Sequence, residues 1–199
     1  MKVKIKKEGK VKEFKLINSW SDVTLETWLK LIDFETGTKT EEATETIAAL
    51  SDIPKKLIKE LALSDVSVIM SKVGELQQEQ DTKLKRIIEI NGVEYGFHPD
   101  LDSISLGEYA DIEQFIKNGI DKQLPELMSV LYRPIKLKKN DIYIIDSYDG
   151  DIRLRAEEMK LMSAEQVQSA LVFFYTLGKV LSEILPLYSM ERLKETKTQ

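Results

Sequence analysis

The chain has a single histidine, His98, in the stretch "YGFHPDLDSISLGEYADIEQF" (residues 95–115), with Asp100, Asp102, Glu108 and Asp111 close behind it. Imidazole beside carboxylate is the pairing of a general base or a metal ligand, and both roles need aligned partners. Here no second histidine is available, and Pro99 bends the chain between His98 and the aspartates. The stretch reads instead as the exit from a strand and the entry to a helix, with His98 donating to a backbone carbonyl at the turn. A second acidic group, Asp141, Asp146, Asp149 and Asp151, has the side chains for a divalent cation. A Ca²⁺ loop needs ligands at alternate positions, Gly at the sixth and Glu at the twelfth. Counted from Asp146, Gly150 is fifth and only Glu157 falls where the pattern requires it, so a solvated turn accounts better for these residues. Tyr132-Arg133 before Pro134 reads as a structural corner, the ring buried and the guanidinium capping helix carbonyls; nothing supports a phosphate contact by Arg133 alone.

The remaining chemistries lack their residues. There is no cysteine, which excludes disulfides, zinc-thiolate sites and thiol nucleophiles. The nine glycines are scattered, none of them in a phosphate-cradling loop, and no serine sits in a nucleophile elbow or an S-x-x-K motif with its companions. The expectation is a non-enzymatic protein with no catalytic, metal-binding or cofactor-binding residues and no cofactor.

These residues must be positioned by a chain of 199 residues, 42% hydrophobic and 32% charged, which is enough apolar material for a core. Its net charge of −5 argues against generic nucleic-acid binding, which needs a positive surface. The longest apolar stretch, residues 170–188, is interrupted by Lys179 and Glu183 and is too polar to span a membrane. Without an apolar run behind the N-terminal lysines there is no signal peptide.

"KVKIKKEGKVKEFKLIN" alternates Lys with Val3 and Ile5, turns at Glu8-Gly9 and continues through Val11 and Phe14, which predicts a hairpin with one apolar face. Asn91-Gly92 between "LKRIIEI" and "VEYGF" is the pair that accepts the positive φ angles of a type I′ turn. Asn140-Asp141 predicts a third hairpin. Thr38/Glu41 and Ser105/Glu108 have capping-box spacing, Ser64 is placed at the start of a helix with Val66, Ile69, Met70 and Val73 on one face, and Pro134 is placed as the stop of a helix over 124–133. Ser163 and Gln166 open a last helix with Val167, Ala170, Leu171 and Phe174 on its core stripe. The predicted fold is α+β, mainly helical, with three β-hairpins and a long C-terminal helix. One domain is expected over 1–199: a basic hairpin at 1–19, a helical cluster at 20–80, a hairpin–helix body at 84–188 and a flexible tail at 189–199.

Two features point to protein partners. Residues 1–15 hold seven lysines against two glutamates, a local +5 that leaves −10 on the rest. A cationic arm on an acidic body can bind an acidic partner or another copy of the chain, and the candidates are Lys2, Lys4, Lys6, Lys7, Lys10 and Lys12; the plainer reading is a solvated edge strand whose lysines discourage aggregation. On the last helix, Phe173 and Val180 fall off the core stripe, on a face shared with Gln166, Ser169, Thr176 and Glu183. A helix apolar beyond one face is either central or meets a partner, so both residues are interface candidates.

"GVEYGFHPDLDSISLGEYADIEQFI", "LPELMSVLYRPI" and "SALVFFYTLGKVLSEILPLY", with "WSDVTL" at 20–25, resemble uncharacterised virion structure and assembly proteins of tailed bacteriophages. The resemblance covers about residues 20–188 and carries no functional residues. It implies a component of the portal–neck or tail-ring region, a ring or connector subunit that binds other phage structural proteins, is itself oligomeric and is located in the virion or the host bacterial cytoplasm. The alternatives are a tail assembly chaperone that leaves the particle, or a phage-encoded adaptor directed at the host. A metal-dependent enzyme built on the aspartates of 141–151 is the remaining alternative.

Overall fold

A computed structural model describes residues 1–7, 10–34, 37–78 and 83–172. The fold is α+β and mainly helical, with the three hairpins in two sheets. The first sheet is the hairpin β1 (Lys2–Lys7) and β2 (Lys10–Lys15). Four helices follow, α1 (Leu25–Phe34), α2 (Lys39–Leu50), α3 (Lys55–Ile58) and α4 (Leu63–Gln78). Then come β3 (Ile87–Ile90), β4 (Val93–Phe97), α5 (Leu106–Lys117), α6 (Leu124–Leu131), β5 (Tyr132–Lys139), β6 (Ile142–Ile145) and α7 (Ile152–Met159). A last helix, α8, is described over 164–172.

Local chemistry explains most boundaries. Asn91 and Gly92 take φ of 52° and 79°, and Asn140 takes 55° at the next hairpin turn; asparagine tolerates this left-handed region better than most residues. The capping boxes at Thr38/Glu41 and Ser105/Glu108 are both closed. Two expectations are corrected. α4 starts at Leu63, and the Asp65 and Val66 N–H groups bond back to the Ala62 carbonyl, so Ser64 lies inside the first turn and does not cap it. Pro134 is not a helix stop: α6 ends at Leu131, and Tyr132 goes directly into β5, where Pro134 pairs with Tyr95 of β4. This β4–β5 pairing merges the second and third hairpins into one antiparallel sheet in the order β3-β4-β5-β6.

Two hydrophobic clusters result. One joins β3–β5, α5, α6 and α7 around Phe97, Leu127, Met128 and Tyr132. α6 lies at its centre with Leu124, Leu127, Met128, Ser129, Val130 and Leu131 all buried. The other packs Leu16, Trp20, Ile47, Leu50, Ile58 and Ile69 under the inner face of β1–β2. Residues 23–26 and 160–164 stitch the two together, through Leu25 N–H to Met162 O and Ala164 N–H to Val23 O, both at 2.7 Å, and Trp28 packs against both. At the start of α8, Val167 and Ala170 are fully buried as the core stripe requires. The predicted continuation of the last helix beyond 172, the predicted turn at Glu8-Gly9 and the predicted tail 189–199 lie outside the described residues.

Candidate functional site

His98 and Glu108, ten residues apart in the opening stretch, do meet. β4 delivers His98, whose N–H bonds the Leu131 carbonyl at 2.7 Å. The first turn of α5 delivers Glu108. Its Oε2 accepts the Ser105 N–H at 2.7 Å to close the capping box. Its Oε1 lies 2.7 Å from Nη2 of Arg133 on β5 and 3.5 Å from Nε2 of His98. All three residues are buried. The Arg133 guanidinium stands over the Tyr148 ring, 5.7 Å from its centroid, and the Tyr148 hydroxyl hydrogen-bonds Asp111 one turn along α5. Arg133 therefore does not cap helix carbonyls, as the corner reading expected. It ties the sheet to α5 because the β4–β5 register sets it beside Gly96, next to the strand end that carries His98.

The electrostatics are those of a locked ion pair. Burial lowers the pKa of His98; the Glu108 carboxylate and the Asp100 backbone oppose that shift, while the Arg133 charge adds to it. Burial alone would raise Glu108, but the Ser105 hydroxyl and N–H and the Arg133 charge outweigh it and hold the carboxyl below its ordinary range. The imidazole is thus neutral and the carboxylate charged at neutral pH. Three surface grooves lie on the half of the molecule built from residues 1–69, and none of the three is lined by His98, Glu108 or Arg133. The buried ion pair and the closed capping box join Arg133 of β5 to the first turn of α5, so the cluster acts as a fastener between sheet and helix.

The four aspartates are not brought together. Asp146 pairs with Lys136 at 3.0 Å, Asp149 with Arg155 at 2.9 Å, and the Asp151 N–H donates to Asp149. The interaction with Arg155 is the largest cause holding Asp149 below its ordinary pKa. Among the described residues no three His, Cys, Asp or Glu side chains converge as a metal site.

The surface candidates divide differently from the sequence reading. In the β1–β2 register Val3 faces Phe14 and Ile5 faces Lys12, while Lys2, Lys4 and Lys6 face Lys15, Glu13 and Val11. Paired residues share a face, so Lys12 lies on the face of Val3, Ile5 and Phe14, and Lys2, Lys4 and Lys6 lie on the opposite, solvent face. Lys15, absent from the sequence-derived candidates, joins them there. The side chains of Lys7 and Lys10 lie outside what the structure describes, as do Phe173 and Val180. One turn before Phe173, Ser169 is fully buried with its hydroxyl on the Gln166 carbonyl, so at that turn the second face of α8 is packed inside the protein.

The hairpin also has an open edge. Met1 and Leu16 exchange two bonds, the Met1 amino group to Leu16 O at 2.6 Å and Leu16 N–H to Met1 O at 2.8 Å. Antiparallel pairs alternate between bonded and non-bonded, so Val3–Phe14 and Ile5–Lys12 are bonded and Lys2, Lys4 and Lys6 turn their N–H and C=O outward. Lys15 on the other side obeys the same rule: its outward N–H and C=O bond the Asp52 side chain and N–H at 2.6 and 3.1 Å. Among the described residues no hydrogen bond reaches the outward groups of Lys4 and Lys6. A second exposed surface sits on β5–β6, where Leu137 faces Ile144 across the strands and Ile142 lies two residues along. These three are 67%, 57% and 79% exposed. Comparison with known proteins returns no matching family model, no matching curated protein and no matching solved structure.

Proposed function

We propose that this chain is a non-enzymatic structural or assembly protein of a tailed bacteriophage, a ring or connector subunit of the portal–tail region that binds other virion proteins and further copies of itself. The observation that carries the reading is the pair of unlike surfaces presented by its two sheets. One is the lysine face and open strand edge of β1–β2; the other is the exposed apolar strip of Leu137, Ile142 and Ile144 on the β5–β6 hairpin. Closed rings form through heterologous contacts, which require two different patches on each copy. Large apolar side chains clustered in the open are a signature of contact surfaces. The resemblance of "GVEYGFHPDLDSISLGEYADIEQFI", "LPELMSVLYRPI" and "SALVFFYTLGKVLSEILPLY" to virion proteins supplies the phage context. Among the described residues no helix is long and apolar enough to cross a membrane, in keeping with a particle or cytoplasmic location.

Negative-stain electron microscopy of the purified protein over a concentration series tests the reading. Annular particles of constant diameter are expected. Isolated compact molecules at every concentration, together with recovery of the protein on a host factor, would favour the adaptor alternative.

A further inference from the structure

We infer that the outer edge of β1 is a docking site for an extended peptide of a partner protein, one in which acidic and apolar residues alternate. The inference rests on the reading of β1–β2 as an interface and names the chemistry of what it binds. Beside that edge runs a groove of about 520 Å³ between β1 and the α3–α4 helices. Its floor includes Ile5, Leu57, Leu61 and Val68, and its strand wall carries Lys4 and Lys6. Val68 is 56% exposed although it faces this groove. The outward N–H and C=O groups of Lys2, Lys4 and Lys6 supply the bonds that an added strand requires, and strand addition to an open edge is an established mode of peptide recognition. β1 has six residues, so it offers a track of roughly 20 Å at about 3.3 Å per residue.

The alternation follows from the two sides of that track. Residues of an added strand point by turns to the two faces of the sheet. One set falls beside Lys2, Lys4 and Lys6, and the other falls over the apolar floor. Among the described residues Lys4 and Lys6 make no ion pair, whereas Lys2 reaches Glu13 at 2.5 Å. Glu60 and Asp65 line the helical wall, so carboxylates are favoured on the lysine face and disfavoured in the groove. Self-pairing of β1 with β1 of a second copy is disfavoured by the same charges. An antiparallel pair would set three lysines of each copy on one face, and like charges across strands repel.

The test is a fluorescence-anisotropy titration of the full chain with a labelled peptide alternating three Glu with three Val or Ile. A control peptide has the same composition in two blocks. The alternating peptide should bind at least tenfold tighter than the control. N-methylation of the peptide at the residues whose N–H groups face β1 should abolish binding, and methylation at the intervening residues should leave it within twofold. The Lys4→Glu/Lys6→Glu variant, altered only at exposed positions, should lose at least tenfold. Equal binding of the two peptides, or indifference to methylation, would reduce the effect to charge attraction and overturn the proposal, as would no saturable binding of the alternating peptide. The readout does not require the chain to oligomerise, so failure here leaves the ring reading standing, and failure of the ring leaves this site standing.

Discussion

Replacing Arg133 by Met tests whether the buried cluster is a fastener. The change removes the guanidinium from a pair whose side chains are each 4% exposed and leaves the Glu108 carboxylate without its cation. Removing one partner of a buried pair costs about 3–5 kcal/mol, since the charge left behind is desolvated and unpaired. One Glu108 oxygen keeps its 2.7 Å bond from the Ser105 N–H, which sets the cost near the low end, about 3 kcal/mol. Losing the contact with the Tyr148 ring adds about 0.5–1 kcal/mol. Methionine is unbranched and fills irregular space, so the cavity term stays small. At roughly 2–4 °C per kcal/mol for a chain of this size, Tm should fall by roughly 7–16 °C. Urea unfolding and thermal melts followed by circular dichroism at pH 7.5 read both quantities. The Glu108→Gln/Arg133→Met variant, which buries no charge, should recover to within about 1.5 kcal/mol of wild type. A single Arg133→Met variant within about 1 kcal/mol of wild type, the size of a surface pair, would refute the fastener.

His98 makes a pH prediction. Its folded pKa lies below the ordinary value because burial and the Arg133 charge outweigh Glu108 and the Asp100 backbone. The unfolded chain therefore takes up the proton first. The His98 contribution is complete above about pH 6.5 and is lost as the pH falls through the folded pKa. Urea midpoints between pH 7 and 5 should decline less steeply in His98→Gln than in wild type, by at most about 1.4 kcal/mol per pH unit. Gly96→Ala should destabilise by about 1–3 kcal/mol through overpacking, since a β-carbon there would lie 2.6 Å from Tyr143 Cδ2 and 2.9 Å from Ile145 Cγ2; a melt unchanged from wild type would show that β6 yields. Ser105→Ala removes the hydroxyl that accepts the Glu108 N–H at 3.3 Å and should cost about 1 kcal/mol in the same melts.

What was legible in the sequence was local. The Asn91-Gly92 and Asn140-Asp141 turns, the two capping boxes and the alternation of β1 carry their geometry in adjacent residues. The β4–β5 pairing does not: Gly96 and Arg133 are register partners separated by a helix pair, and no short-range pattern reports such a contact. Hence Glu108 was visible as a capping residue and Arg133 as a corner residue, but their ion pair was not. The direct passage from α6 to β5 was missed because Pro134, which usually ends a helix, is here accommodated inside a strand. Which apolar side chains of α5 are covered is settled by packing and not by the helix itself: Ile112 and Phe115 are buried but Leu106, Tyr109 and Ile116 are 83%, 53% and 46% exposed. For the hairpin lysines, the residues were legible as a basic arm, but their division between two faces follows from the register of β1 against β2.

Light scattering behind size-exclusion chromatography tests the central claim most directly. Deleting residues 1–15 would strip Val3, Ile5 and Phe14 from the second core, so substitutions on the exposed faces are the cleaner probes. The full chain, a Lys2→Glu/Lys4→Glu/Lys6→Glu variant and an Ile142→Asp/Ile144→Asp variant are compared at matched concentrations and low salt. The account predicts one closed oligomer for the full chain and a monomer for at least one folded variant. A full chain that runs as a monomer, or an oligomer unmoved by either set of substitutions, would contradict it.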